Sequence, residues 1–369
     1  RMIRLLFEVG HLYHRAALDP LYQVFREDPQ YNIAFTCSHD AERRLGVVNR
    51  SLKHELETRF RTEGLPVAEG TGGFDVVIVG DTVRDPQRYG ETLLCFVNHG
   101  TGIKNILYRN LRAHLQTRYH IFVEGNYRVD RIHQAGVQGI SLVHKVGLPK
   151  LDPLFWPGYP SREAILNGLG LDPAKPTVLF APTYKPTCID LVREHILSQT
   201  RAYNLIIKLH QYSWRGKYAP HWHHTLYERA VKQYSHAVLI PVDDYNILPY
   251  LYAADTLLSE ASSTMFDFLA LGKTGIIFVL PHEQLRHHDG EPLLSEDPQA
   301  FLAGAFLHIR HPKEIGAAVD TALQDDPQRR QVANRYRDHF FFGLDGQASL
   351  RVKRTIERLL AEDGQTHYP

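Results

Sequence analysis

Short apolar runs alternating with amphipathic stretches recur along almost the whole chain, and no other feature constrains its fold as much. Runs at 3–9, 31–36, 74–79, 93–97, 120–123 and 140–146 are rich in Ile, Val, Leu and Phe. Helical patterns lie between most of them, as at 16–25, 41–44 and 52–61, and the alternation then restarts at 177–181, 204–209, 237–240, 256–258 and 275–280. Repeated strand–helix alternation implies parallel sheets covered by helices on both faces. The expected class is α/β, with two Rossmann-like halves facing across a cleft. Pro149, Pro153, Pro157, Gly158 and Pro160 mark the link between them. The expected organisation is 1–152 for the first half, 153–340 for the second, and 341–369 as a C-terminal helix packing back on the first.

Composition narrows the function classes. A chain of 369 residues exceeds one ordinary core, and 43% apolar content is that of a globular protein. Lys and Arg total 42 against 41 Asp and Glu, so no general polyanion-binding surface and no nucleic-acid partner are expected. The 22 histidines could make charge and binding respond to pH near neutrality. Cys37, Cys95 and Cys188 form neither a zinc spacing nor a disulfide framework, which points to a reducing, cytoplasmic setting. No apolar run approaches the roughly 18 residues of a membrane span, and the first residues read as a strand rather than a signal peptide.

Candidate chemistry sits where strands end, the edge at which open α/β sheets bind ligands. The run 256–258 leads into Glu260, Ser262 and Ser263, followed by Met265, Phe266, Phe268, Leu269 and Leu271, with Gly272 placed to stop a helix. A helix that starts at two serines offers backbone N–H groups, hydroxyls and a positive dipole end to an anion. Taken alone, the serines read first as helix caps. The run 93–97 leads into Asn98, His99, Gly100, Thr101, Gly102 and Lys104, which reads as a histidine acid/base beside a phosphate-sized loop or as a tight turn with a surface histidine. Thr183 and Lys185 follow 177–181, while Lys208 and His210 end 204–209. Hydroxyls, cations and a helix start on one edge suit a diphosphate.

His221, Trp222, His223 and His224 have no carboxylate or Cys at ligand spacing, so no metal is expected there. His282, His287 and His288 fall in a loop that could touch a ligand, though ordinary surface residues are the simpler reading. No Gly-x-Ser-x-Gly elbow or Walker loop is present.

In order, these segments resemble the motifs of the CDP-glycerol glycerophosphotransferases, the teichoic-acid primases and polymerases. Asn98 to Lys104 is similar to their Trp-His-Gly-Thr-Pro-Leu-Lys. The stretch from Gly147 through Pro149, Lys150, Asp152 and Leu154 is similar to their Gly-x-Pro-Arg-x-Asp-x-Leu. Phe180 to Lys185 is similar to Tyr-Ala-Pro-Thr-Trp-Arg, and Lys208 to Gln211 to Lys-x-His-Pro. Ala254 to Lys273 is similar to their long Ala-Asp…Ser-Ser-x-x-Phe-Asp-Phe…Lys-Pro segment. The likeness spans roughly 95–280. It departs at Asn98 for Trp, at Gly102 for Pro, at Glu260 and Ala261 for Asp-Tyr, and at Gln211 and Thr274 for Pro.

The resemblance implies a GT-B fold, a CDP-linked polyol donor and transfer of a polyol phosphate to a hydroxyl of a lipid-linked or glycan acceptor, releasing CMP. It implies His99 as base and His210, Ser262 and Ser263 as pyrophosphate contacts. Gly100, Thr101, Lys104, Thr183, Lys185, Lys208 and Glu260 are the further substrate-binding candidates, with Glu260 toward the ribose or acceptor. No cofactor and no metal are implied. Such an enzyme would work on the cytoplasmic side in teichoic-acid or capsule synthesis, with contact to the inner membrane surface. A sugar-nucleotide glycosyltransferase, a UDP-sugar epimerase and a non-catalytic nucleotide-binding protein stay open as alternatives.

Overall fold

The computed structural model describes residues 1–37, 41–44, 48–215 and 222–366. Its first half carries strands β1 (Ile3–Val9), β2 (Tyr31–Cys37), β3 (Ala41–Arg44), β4 (Val48–Ser51), β5 (Val76–Val79), β6 (Leu93–Val97), β7 (His120–Val123) and β8 (Leu142–Lys145). Helices α1 (Arg15–Arg26), α2 (Lys53–Thr62), α3 (Ile106–Arg112) and α4 (Asn126–Gln134) lie between them. The second half carries β9 (Thr177–Phe180), β10 (Asn204–Ile207), β11 (Ala237–Leu239), β12 (Thr256–Ser259), β13 (Gly275–Phe278) and β14 (Leu307–Ile309). Its helices are α5 (Arg162–Gly168), α6 (Ile189–Gln199), α7 (His223–Val231), α8 (Leu248–Ala253), α9 (Ser263–Ala270) and α10 (Ile315–Ala322), followed by α11 (Pro327–Phe340) and α12 (Ala348–Thr366).

Each half is built on one six-stranded parallel sheet, ordered β2-β1-β5-β6-β7-β8 in the first and β11-β10-β9-β12-β13-β14 in the second. The central strands β5, β6, β9, β10, β12 and β13 are buried along their whole length, as continuous Val, Leu, Ile and Phe runs require. In each sheet the chain winds one way and then returns to the other side of its first strand. The reversal falls between β1 and β5 in one sheet and between β9 and β12 in the other. Crevices at such reversals are where ligands bind in open α/β sheets.

The segment 41–44 is strand β3, paired antiparallel with β4, and not the helix its pattern predicts. Four residues are too few to close a stable helix nucleus, and a cross-strand partner lies a few residues on. The pattern at 307–309, not read as a strand, adds β14 to the sheet edge.

Asp152 holds the start of α12, accepting hydrogen bonds from the Ala348 and Ser349 amides at 3.2 and 2.7 Å. Val352 and Ile356 of α12 are then buried with Leu5, Phe7 and Val76 of the first sheet. Gly272, at φ +73°, follows α9 as a left-handed stop. Lys273 reaches the carbonyls of Leu251, Tyr252 and Ala254 at the end of α8, which makes it a helix cap rather than a ligand contact. Among the described residues no helix is long and apolar enough to cross a membrane.

Candidate active site

The carboxyl edges of the two sheets meet, and glycines set the closeness of approach. A Cβ on Gly100, just past β6, would lie 3.3 Å from Ser263 Cβ at the start of α9. A Cβ on Gly102 would lie 3.0 Å from the Phe266 ring, and φ there is +130°, open in practice only to glycine. These glycines therefore admit α9, where the local pattern reads as a loop cradling phosphate. Asn98 and Arg128 both donate to the Gly100 carbonyl, at 2.9 and 3.2 Å. Both also bond Glu124, at 2.8 and 3.0 Å, so the 98–101 turn is held from below. Lys150 and Asp267 tie the halves together through a buried ion pair at 2.5 Å.

His99 sits on this turn with Nδ1 2.6 Å from the Gly80 carbonyl. A carbonyl only accepts, so Nδ1 carries the hydrogen and a neutral ring keeps its lone pair on Nε2. Burial lowers the His99 pKa, with Asp81 and the Gly80 carbonyl opposing that shift and Lys150 and His11 adding to it. His210, past β10, has the reverse arrangement. Its Nδ1 accepts the Tyr212 amide at 3.1 Å, so the neutral ring carries its hydrogen on Nε2. Burial, helped by Lys104 and Lys208, pushes the His210 pKa down to about 3. In their neutral forms one imidazole thus presents a lone pair on Nε2 and the other a hydrogen.

Cations gather beside His210. Burial lowers the Lys208 pKa to about 8 against the pull of Asp244 and Asp243. Lys104 is exposed, yet desolvation lowers its pKa against the pull of Glu260. Lys185 is exposed on the turn after β9. None of the three makes an ion pair among the described residues. Ser262 begins α9, but its hydroxyl does not cap the helix. It bonds the hydroxyls of Ser259 at 2.8 Å and Thr264 at 2.6 Å, leaving the first turn of α9 without a side-chain cap. Thr101 has a buried hydroxyl with no hydrogen bond among the described residues.

Two candidates turn inward. Glu260 is 3% exposed, and its oxygens accept the amides of Thr183 and Cys188, each at 2.7 Å, and the Thr187 hydroxyl at 2.6 Å. These three contacts shape the 183–188 loop. The Thr183 hydroxyl likewise donates within the loop, to the Pro186 carbonyl at 2.7 Å.

Rings that the strand-end reading leaves aside line the same cleft. Tyr13 lies 5.2 Å from the His210 ring and 5.9 Å from the His99 ring. Tyr184 lies 4.6 Å from His210, and the Tyr212 hydroxyl is 3.2 Å from His11 Nδ1. His11, Tyr13 and His14 follow β1 at the first sheet's reversal. Their local sequence is that of an ordinary loop, and only the placement of β1 beside β5 marks it. Surface hollows of about 260 and 320 Å³ lie at the opposite, amino ends of the sheets, near Arg4 and Asn204 respectively, away from these groups.

The histidines outside the cleft have separate settings. His223 lies 3.4 Å from Asp190, His224 stacks on Trp214 at 4.8 Å, and His221 lies outside the described residues. His282, His287 and His288 lie in the segment before Leu293, whose carbonyl accepts the Asn105 amide of the first half at 2.8 Å.

Solved structures share this architecture. The wall teichoic acid polymerase TagF is 16% identical, with a TM-score of 0.66 over 99% of this chain and 90% of that one. A variant of it soaked with CDPG matches at 15% identity and 0.66, covering 98% and 90%. S. aureus MnaA with UDP matches at 15% and 0.61, covering 98% and 97%. These likenesses establish a GT-B type α/β fold. A comparison with curated proteins finds no match. Residues 92–358, which carry His99, His210 and the α9 start, match the sequence profile of a defined family. The chain belongs to the CDP-glycerol:poly(glycerophosphate) glycerophosphotransferases.

Proposed function

We propose that the chain transfers glycerol phosphate from CDP-glycerol to an acceptor hydroxyl, with His99 as base and His210 on the diphosphate. The acceptor oxygen attacks the β-phosphorus, its proton passes to His99 Nε2, and the bond to the bridging oxygen breaks to release CMP. Charge building on the leaving phosphate falls to His210 Nε2–H, Lys208, Lys104 and the uncapped first turn of α9. Lys185 stands at the rim on the nucleotide side, and Glu260 and Thr183 hold its loop. The observation that carries the reading is the opposed pair of histidines, each set by a backbone partner that can play only one role. The acceptor belongs to a cell-surface polymer, presented on a lipid or glycan at the inner membrane face.

Incubation with CDP-glycerol and acceptor, followed by mass spectrometry, should show CMP release and an added glycerol phosphate. CDP should raise the melting temperature and UDP should not. Protection by UDP alone, or turnover of a UDP-sugar without CMP, would sink the reading. So would a CDP-glycerol complex with its diphosphate more than ~6 Å from the Ser263 amide, since direct hydrogen bonds need about 3 Å.

A further inference from the structure

His14 plays no part in that scheme, yet its setting is unusual. It ends the 3-10 turn Leu12–His14, is 2% exposed and makes no side-chain hydrogen bond among the described residues. A buried imidazole with an unmet nitrogen costs stability. The ring is pressed against His99, with centroids 4.2 Å apart and planes at 35°. It also covers Gly80, where an added Cβ would come within 3.1 Å of His14 Cγ and Nδ1. Gly80 is the residue whose carbonyl takes the His99 hydrogen. His14 and Gly80 thus grip the His99 ring from its face and its edge. His14 precedes the 92–358 span, so the family match does not account for it.

We propose that His14 is a positioning residue for His99, its neutral ring holding the base with Nε2 toward the cleft and keeping water from the ring face. The proposal rests on His99 as the base. The other groups acting on His99 are Asp81 and the Gly80 carbonyl after β5, Lys150 beyond β8, His11 after β1, and Asp267 and His210 across the cleft. Burial, aided by His99 and His11, keeps the His14 pKa well below 6.5. When His99 takes the acceptor proton, its charge therefore meets an uncharged ring and not a second cation.

The test compares His14→Ala with His14→Phe in the full chain. One readout is the NMR titration of the His99 ring, and the other is the pH profile of kcat/KM for CMP release. Removing the ring admits water and returns His99 toward its ordinary value. In His14→Ala the titration midpoint and the acid limb should both rise by about one pH unit, with kcat down roughly tenfold. His14→Phe keeps the covering ring and should leave both where they are. If circular dichroism shows that His14→Ala has lost its fold, His14→Gln takes its place with the same expected shift. A midpoint that stays put without the ring, or moves equally with Phe, overturns the proposal. The titration needs no turnover, so it judges His14 even if His99→Ala stays active, an outcome that would defeat only the base assignment.

Discussion

His99 and His210 follow strand ends on opposite sides of one cleft, and a single backbone atom makes them opposite tools. The Gly80 carbonyl can only accept, so His99 presents a lone pair; the Tyr212 amide can only donate, so His210 presents a hydrogen. Their charge environments differ as well. Asp81 partly restores the basicity of His99, while Lys104 and Lys208 deepen the effect of burial on His210. The comparison teaches that the chemistry of an imidazole lies in what holds its far nitrogen, and that two identical side chains at equivalent strand ends need not share a role.

The strongest way to break this contrast is His99→Ala. Turnover should fall about 10²–10⁴-fold while CDP-glycerol affinity by calorimetry stays near that of the parent. Loss of affinity and stability together would make His99 a turn residue and end the asymmetry. Next comes the pair that holds the two sites in register. Lys150→Met leaves Asp267 buried without its cation, and urea unfolding should show a loss of about 3–5 kcal/mol. A neutral result would mean that the halves are joined elsewhere.

On the proposed role, His210→Ala removes a donor to the diphosphate in both the bound and the transition state. Donor affinity and kcat/KM should fall together by about 1.5–3 kcal/mol. A kcat effect with unchanged affinity would make His210 a second proton carrier. The mildest test is the pH profile. The base must be neutral, and burial sets the His99 pKa below 6.5, so kcat/KM should fall only as pH drops through that lower value. On the alkaline side donor binding should weaken as pH rises past about 8, where Lys208 loses its charge. An acid limb at or above 6.5 would show that the base is not the buried His99.

Much of this was legible locally. Runs such as 76–79 and 204–207 are apolar throughout because both sheet faces are covered, and polar residues directly after them could be read as the ligand edge. Ser262 and Ser263 fall at the start of α9 as the pattern implies. The partners of Glu260 are not legible locally, because a carboxylate beside serines looks alike in sequence whether or not it takes three donors of a neighbouring loop. The sequence likewise does not show that Gly100 and Gly102 face Ser263 and Phe266 so closely that an added Cβ would crowd them.

By itself the sequence determined the strand–helix alternation, the two sheets and the order of the motif-bearing strand ends, since these follow from short-range periodicity and from residues within one turn of each other. The tertiary structure alone decided which strand ends become neighbours. Placing β1 beside β5 brings His11, Tyr13 and His14 to His99, and placing β9 beside β12 brings Glu260 under the 183–188 loop. It also decided the two tautomers. Gly80 stands 19 residues from His99, so which nitrogen carries the hydrogen depends on a contact that exists only after the chain has folded.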